Sequence, residues 1–439
     1  MLKRPAGAGA IALCMLAWLA PSLAPAQGVA VAQRSSSGLL AGVNVDGLNY
    51  GSLPAEAGSD LARAKQLGAK VVRLEVPWSV MEPREAGRLS PSSLAFTDRL
   101  VDDAAADRIR IIMLVESTPC WASSAPSALL RKCNPEKTGP ANAWTPRRPA
   151  DYGAFVGYLA KRYGDRLAAI EIWNEPDQSN QRYLAGPDKA RHYAAILRAA
   201  YPAIKRASAS VRVLGGALVG SNGAFLRALY VAGIKGFYDG LAVHYYNLTL
   251  ASLRSIHEVQ LAHGDNTPLW LDEFGWSSCW PRQKLQQDQA CVTKRVQASN
   301  LADLVREAAR MPYVAAAVVY KLQSSSSEDF GLLTSTGARK PAFAALASAI
   351  ASPLGNVSPV SLSLSRAGSQ VLARGSGPPG DFMELEAFQG TVLRYWVLFT
   401  LDRFNDFSLR LPAQLGTSGL NIRVYQYLQG QASAAQQSI

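Results

Sequence analysis

The chain has 439 residues, 48% of them hydrophobic and 18% charged, with a formal net charge of +12. This composition excludes a globally disordered chain and leaves room for one large domain with a smaller one beside it. The basic balance would suit an acidic partner, but there is no dense Lys/Arg block, and a diffuse charge serving solubility accounts for it equally well.

The first 27 residues do not read as folded protein. Lys3 and Arg4 form a short positive region, Ala12 to Ala24 is an apolar run, and Ala24-Pro25-Ala26 is a small-x-small cleavage site. Residues 1–27 are therefore expected to be a secretory signal peptide, too short to span a bilayer. Their loss removes one Lys, one Arg and no acid, which takes the charge from +12 to +10. The mature chain is expected to be a soluble monomer, periplasmic or secreted, that does not meet nucleic acid. Export permits disulfides. Cys120, Cys133, Cys279 and Cys291 allow three pairings, of which Cys120–Cys133 and Cys279–Cys291 would each staple one long loop. No Cys-x-x-Cys or His-Glu-x-x-His is present, so neither a metal nor another cofactor is expected.

Strand-like runs then follow at Leu40–Val45, Lys70–Val76, Ile109–Val115, Ala168–Trp173, Arg212–Leu218, Gly240–Tyr245, Pro268–Glu273 and Ala315–Leu322. Most are continuously apolar, as in parallel strands covered on both faces. Helices lie between them. Ser90-Pro91 reads as an N-cap with proline in the first turn, and Tyr152, Phe155, Val156, Leu159 and Tyr163 form one apolar stripe that Gly164 ends. The pattern predicts a (β/α)8 barrel over residues 36–352. An open doubly wound sheet is the alternative, without its glycine fingerprint. Residues 353–439 change texture. Alternation at Val360, Leu362 and Leu364 and at Met383, Leu385 and Ala387, with runs at Val392–Phe399, Phe407–Leu411 and Ile422–Leu428, predicts a small antiparallel β-sandwich. Asn247-Leu248-Thr249 matches a glycosylation acceptor too common to weigh.

Barrel chemistry gathers at the C-terminal ends of the strands. "IEIWNEPDQ" places Asn174 and Glu175 there after the fourth strand, and "LWLDEFGW" places Glu273 after the seventh. Asp272 rivals Glu273, but strict alternation would turn it to the opposite face. "VVRLEVPW" supplies Arg73, Glu75 and Trp78; Glu116 and Trp121 follow the third strand; His244 and Tyr246 follow the sixth. Two carboxylates leaving two buried strands suit glycoside hydrolysis, where one acid protonates the leaving oxygen and the other carboxylate attacks or stabilises the anomeric carbon. Trp78, Trp121, Trp144, Trp276 and Trp280 lie in or beside the same loops, where aromatic faces can stack on sugar rings.

"WNEP" and "DEFG" resemble the paired motifs of clan A glycoside hydrolases, which are retaining (β/α)8 enzymes. "VVRLEVPWSVMEP", "STPCWA" and "DYGAFVGYLAKRYGDRLAAIEIWNEPD" look most like family 39 and its bacterial exopolysaccharide-associated relatives. The resemblance implies Glu175 as acid/base, Glu273 as nucleophile and Asn174 at the sugar 2-hydroxyl. Arg73, His244 and Tyr246 would support them. From their places beside these carboxylates, Trp78, Trp121, Trp276 and Glu116 are expected as substrate contacts. Many clan members carry a Trp at the end of strand eight, where this chain reads Tyr320-Lys321. The expected function is an exported endo-acting hydrolase of a bacterial exopolysaccharide. An exo-acting β-xylosidase-like glycosidase, a transglycosylase and a non-catalytic carbohydrate-binding barrel are the alternatives.

Overall fold

A computed structural model describes residues 38–45, 54–246, 251–279, 291–353, 359–378, 383–402, 405–426 and 430–439. The expected signal peptide, the Asn247-Leu248-Thr249 site and Trp280 lie outside the described residues. Strands β1 (Leu40–Asn44), β2 (Val71–Pro77), β3 (Arg110–Glu116), β4 (Leu167–Ile172), β5 (Arg212–Leu218), β6 (Gly240–His244), β7 (Leu269–Phe274) and β8 (Val314–Val319) close in chain order into a parallel barrel. Among the described residues no helix is long and apolar enough to cross a membrane.

Side-chain alternation divides the barrel into two apolar layers. Val72, Leu74 and Val76 of β2, with Ile111, Met113 and Val115 of β3, point outward under the helices. Val71, Ile112, Ala169, Leu214, Ala242 and Trp270 fill the interior. Trp270 lies across the start of β6, and a Cβ on Gly240 would come within 2.5 Å of its indole nitrogen. Higher in the barrel the inward positions become polar, beginning with Arg73 and Glu171.

The two local helix signals hold. Ser90 caps the helix Pro91–Ala106, its hydroxyl accepting from the Ser93 amide at 3.4 Å. The helix Pro149–Tyr163 ends at Gly164 with φ 53, a left-handed turn that glycine adopts at little cost. Its Tyr152 hydroxyl donates to the Val115 carbonyl at 2.7 Å, which fixes the helix against β3.

Beyond the barrel, β9 (Ser363–Ala367), β10 (Gln370–Ser376), β11 (Met383–Gln389), β12 (Val392–Phe399), β13 (Asp406–Arg410), β14 (Leu420–Gln426) and β15 (Gly430–Ser438) form two antiparallel sheets, ordered β13-β10-β9 and β12-β11-β14-β15. Val371, Ala373, Met383, Leu385, Phe407 and Val424 form the core of this sandwich. Tyr395 and Phe399 pack against that core, whereas Trp396 points outward and is 56% exposed. Barrel and sheets belong to one compact unit, and Asn405 donates to Asn300 of the barrel helix Lys294–Arg310.

Both disulfides pair as expected, Cys120 with Cys133 and Cys279 with Cys291. The first closes a separation of 13 residues in the loop after β3. Restricting an unfolded loop of that length is worth about 3 kcal/mol. Cys120→Ser is therefore expected to lower urea-unfolding stability by about 2–3 kcal/mol. A loss below about 0.5 kcal/mol would show that the loop is held by its other contacts.

Candidate active site

The chain turns sharply on leaving β4. Trp173 and Glu175 both occupy the left-handed backbone region, with φ 70 and 41. Such a conformation costs a non-glycine residue about 1–3 kcal/mol and persists only where its surroundings impose it. Here Trp173 is fully buried and its indole nitrogen donates to the Tyr183 carbonyl at 2.9 Å. The turn brings Asn174 and Glu175 over the mouth of the barrel.

β7 presents the opposing carboxylate by a different device. Its register slips against β8 between Leu271 and Phe274, and the β6 register slips between Val243 and His244. Leu271 and Phe274 face the helices, while Asp272 and Glu273 both turn inward towards Arg73 and His244. The expectation from alternation, that Asp272 faces away from Glu273, is thus corrected. An irregularity in a strand puts two consecutive side chains on one face.

Arg73 organises the floor. It is 5% exposed, and all five of its N–H groups are engaged. Nε and Nη2 donate to the two oxygens of Glu171 at 2.7 and 2.8 Å; Nη1 donates to Glu273 Oε1 at 2.6 Å and to Asn44 Oδ1 at 3.2 Å; Nη2 donates also to Asn174 Oδ1 at 3.0 Å. Tyr246 donates its phenol to the other oxygen of Glu273. Burial alone would raise the Glu273 pKa, but the charges of His244 and Arg73 and the Tyr246 and Arg73 hydrogen bonds hold it below the ordinary carboxylate range. Glu273 is an ionised, firmly aimed carboxylate.

Glu175 accepts from Gln178 at one oxygen and lies 2.9 Å from His244 Nδ1 at the other. One carboxylate oxygen of Glu175, one of Glu273 and a ring nitrogen of His244 all lie within 4.8 Å of one another, as do such atoms of Glu171, His244 and Asp272. Trios of this kind can enclose a cation. The positive charge beside the Glu171, His244 and Asp272 trio belongs to the Arg73 guanidinium, already in bidentate contact with Glu171. Glu116, 9% exposed, hydrogen-bonds Glu75, and burial and that neighbour push its pKa well above the usual carboxylate range.

These groups line a cleft of about 1800 Å³, with Glu75, Glu116, Asn174, Glu175, His244, Tyr246 and Glu273 on its floor and walls. The expected tryptophans are elsewhere. Trp78 is fully buried, 5.6 Å from the Trp121 ring and 5.9 Å from Phe155, and its indole nitrogen donates to Glu82 at 2.6 Å. Trp121 turns its own nitrogen to the Glu82 carbonyl at 2.9 Å, and Trp276 is 3% exposed within the helix-side core. The reason is packing: Trp78 and Trp276 are buried in the core between helices and loops, and Trp121, partly buried, packs against that core outside the residues that line the cleft. The aromatic wall is instead Tyr183, Tyr246, Tyr320 and Phe330, with Tyr246 and Tyr320 edge to face at 5.6 Å.

Asn44 and Glu171 are central to the site, yet the strand pattern gave neither a role. Glu171 sits in the middle of an apolar run, and its partner Arg73 is 98 residues away in sequence. A lone charge inside a buried strand was the available signal, since such a group needs a counter-charge.

Residues 160–338 match the family described as glycosyl hydrolase catalytic core. The chain carries the catalytic core of a glycoside hydrolase. No curated protein sequence matches it. Among solved structures, a family 39 glycoside hydrolase from Bacteroides cellulosilyticus is similar at 19% identity and TM-score 0.54, over 86% of this chain and 79% of that one. A family 5 subfamily 18 protein from Streptomyces cattleya, solved with GlcNAc, matches at 18% identity and TM-score 0.53, over 74% and 83%. A family 30 endoxylanase from Clostridium papyrosolvens matches at 14% identity and TM-score 0.52, over 88% and 96%. At these identities the likeness is one of fold.

Proposed function

We propose that this glycoside hydrolase is an exported, retaining, endo-acting enzyme that cleaves a bacterial exopolysaccharide, with Glu273 as nucleophile and Glu175 as acid/base. The observation that carries this reading is the approach of a Glu175 oxygen to a Glu273 oxygen within 4.8 Å across the cleft. Retaining enzymes hold their carboxyl groups about 5–5.5 Å apart, whereas inverting enzymes need room for a water and hold them at about 6.5–9.5 Å. Glu273 would attack the anomeric carbon as Glu175 protonates the departing oxygen. Glu175 would then take a proton from the water that releases the sugar.

Asn174 would donate its amide to the 2-hydroxyl while its carbonyl oxygen stays on Arg73. The size of the cleft supports an endo-acting enzyme on a polymer, because its volume of about 1800 Å³ exceeds the roughly 300–1,000 Å³ typical of a single small-ligand pocket. The kinship with family 39 and its exopolysaccharide-associated relatives rests on the motifs around Arg73, Glu175 and Glu273. The two disulfides are compatible with an exported chain.

The test is to incubate the native protein, and Glu273→Gln beside it, with bacterial exopolysaccharides and plant β-glycans, reading products by mass and chain length. Mixed-length oligosaccharides from the native protein alone are expected. Release of monosaccharide only would replace the endo reading with an exo one. Binding by both forms without release from any polymer would point to a non-catalytic barrel.

A further inference from the structure

His244 presents a hydrogen-bonding problem with one good solution. Its ring is buried at the end of β6, with Nδ1 2.9 Å from Glu175 Oε1 and 3.6 Å from Glu273 Oε2. On the other side, Nε2 lies 3.4 Å from Arg73 Nη2 and 3.5 Å from Asp272 Oδ1. A bare Nε2 lone pair would need a donor. Both hydrogens of Arg73 Nη2 are already given to Glu171 and Asn174, at 2.8 and 3.0 Å, so none is left for the imidazole. Nε2 must therefore carry its own hydrogen, and Asp272 Oδ1 is the acceptor that faces it. Asp272 is completely buried and neither of its carboxyl oxygens meets a full hydrogen bond: Oδ2 lies 3.7 Å from Arg73 Nε, and the 3.5 Å approach of His244 Nε2 to Oδ1 is the closer of the two contacts. A buried carboxyl group left in that state requires a reason.

With Nε2 protonated, Nδ1 and Glu175 Oε1 face each other and share one further proton. We propose that the proton Glu175 gives to the leaving oxygen rests on His244 Nδ1 between turnovers, and that Asp272 is the positioning residue that holds the imidazole in the required orientation. This rests on the acid/base reading of Glu175. In the first step the Nδ1–H bond breaks, Glu175 Oε1 takes the proton and passes it to the departing oxygen as the glycosidic bond breaks and Glu273 bonds the anomeric carbon. In the second step water loses a proton to Glu175 as its oxygen replaces Glu273, and that proton returns to Nδ1.

The charges around the ring favour this resting state. Burial opposes its protonation, but Glu273, the hydrogen bond to Glu175 and Asp272 outweigh both burial and the repulsion of Arg73, and the His244 pKa is pushed up to about 9. Glu171 from β4 and Asp177 from the following loop complete the charged groups around it. Burial and Glu171 push the pKa of Asp272 well above the usual range, with His244 and Arg73 opposing.

The experiment is an NMR titration of the full chain labelled with 15N-histidine, in which the His244 signals are identified by their loss in His244→Gln. It needs no substrate, so its outcome is separate from that of the polymer assay. At pH 8 an ordinary histidine is over 90% neutral, its midpoint being about 6.5. The native His244 is expected to remain an imidazolium there. Asp272→Ala is expected to lower its midpoint by at least tenfold in proton affinity, and Asp272→Asn, which keeps an acceptor oxygen but not the charge, to restore part of it. Should Asp272→Ala fail to fold, Glu175→Gln, which removes the partner anion, must lower the same midpoint. A neutral His244 at pH 8 in the native chain, or a midpoint unmoved in these variants, would overturn the proposal.

Discussion

Glu273→Ala is expected to lower release of sugar from the native polymer by about 10⁴- to 10⁶-fold, the scale of losing a nucleophile. The site gives that carboxylate no understudy. Glu175 is committed to His244 and Gln178, Glu171 to Arg73, and Asp272 lies in the barrel interior below the cleft. The variant should nonetheless fold, because Arg73 keeps its bidentate contact with Glu171. Removing the carboxylate leaves a small void beside the anomeric carbon. Added azide can enter it, attack from the vacated side and give a glycosyl azide of inverted configuration. Recovery of that product, with unchanged near-ultraviolet circular dichroism, would identify the nucleophile. If Glu273→Ala retained activity within tenfold of the native chain, the double-displacement mechanism would be lost with it.

Arg73→Met is the second large effect, and it joins stability to catalysis. Arg73 and Glu171 form an ion pair 5% and 0% exposed, and Arg73 also holds Glu273, itself 10% exposed at its side chain. Breaking a buried pair by deleting one partner costs about 3–5 kcal/mol, because the other charge stays buried without compensation. In the native chain the lowered Glu273 pKa contributes stability above the ordinary carboxylate range, lost as pH falls through the folded-state value. Without the guanidinium the sign reverses. The buried acids are then penalised when ionised, and protonation relieves them. The stability difference between the two proteins in urea should therefore be widest at pH 7–8 and narrow towards pH 5. Activity should fall with it, since a nucleophile that takes up a proton cannot attack. A loss under about 1 kcal/mol, or one independent of pH, would mean that Arg73 is not the counter-charge of this floor.

How much of this was legible in the sequence varies by element. All eight barrel strands lie within a few residues of their predicted positions, because runs such as Arg212–Leu218 are buried on both faces and show it in composition alone. The sandwich was read less completely. β10 and β15 were not anticipated, and β15, GQASAAQQS, has neither apolar alternation nor β-branched residues. It is a strand because β14 offers it an edge to pair with. Tertiary context of this kind overrides local propensity.

The sequence by itself left the disulfide pairing open among three, and determined the barrel, the sandwich and the two carboxylates at the exits of β4 and β7. Each of these is written in a short stretch whose burial or turn chemistry acts locally. Only the tertiary structure decided that Asp272 and Glu273 share the interior, that Glu171 and Asn44 anchor Arg73, and that Trp78, Trp121 and Trp276 belong to packing. Those outcomes depend on register slips between strands and on partners from separate strands. They follow from closing the barrel, where the ends of β1, β2, β4, β6 and β7 meet and every buried charge must find its counter-charge.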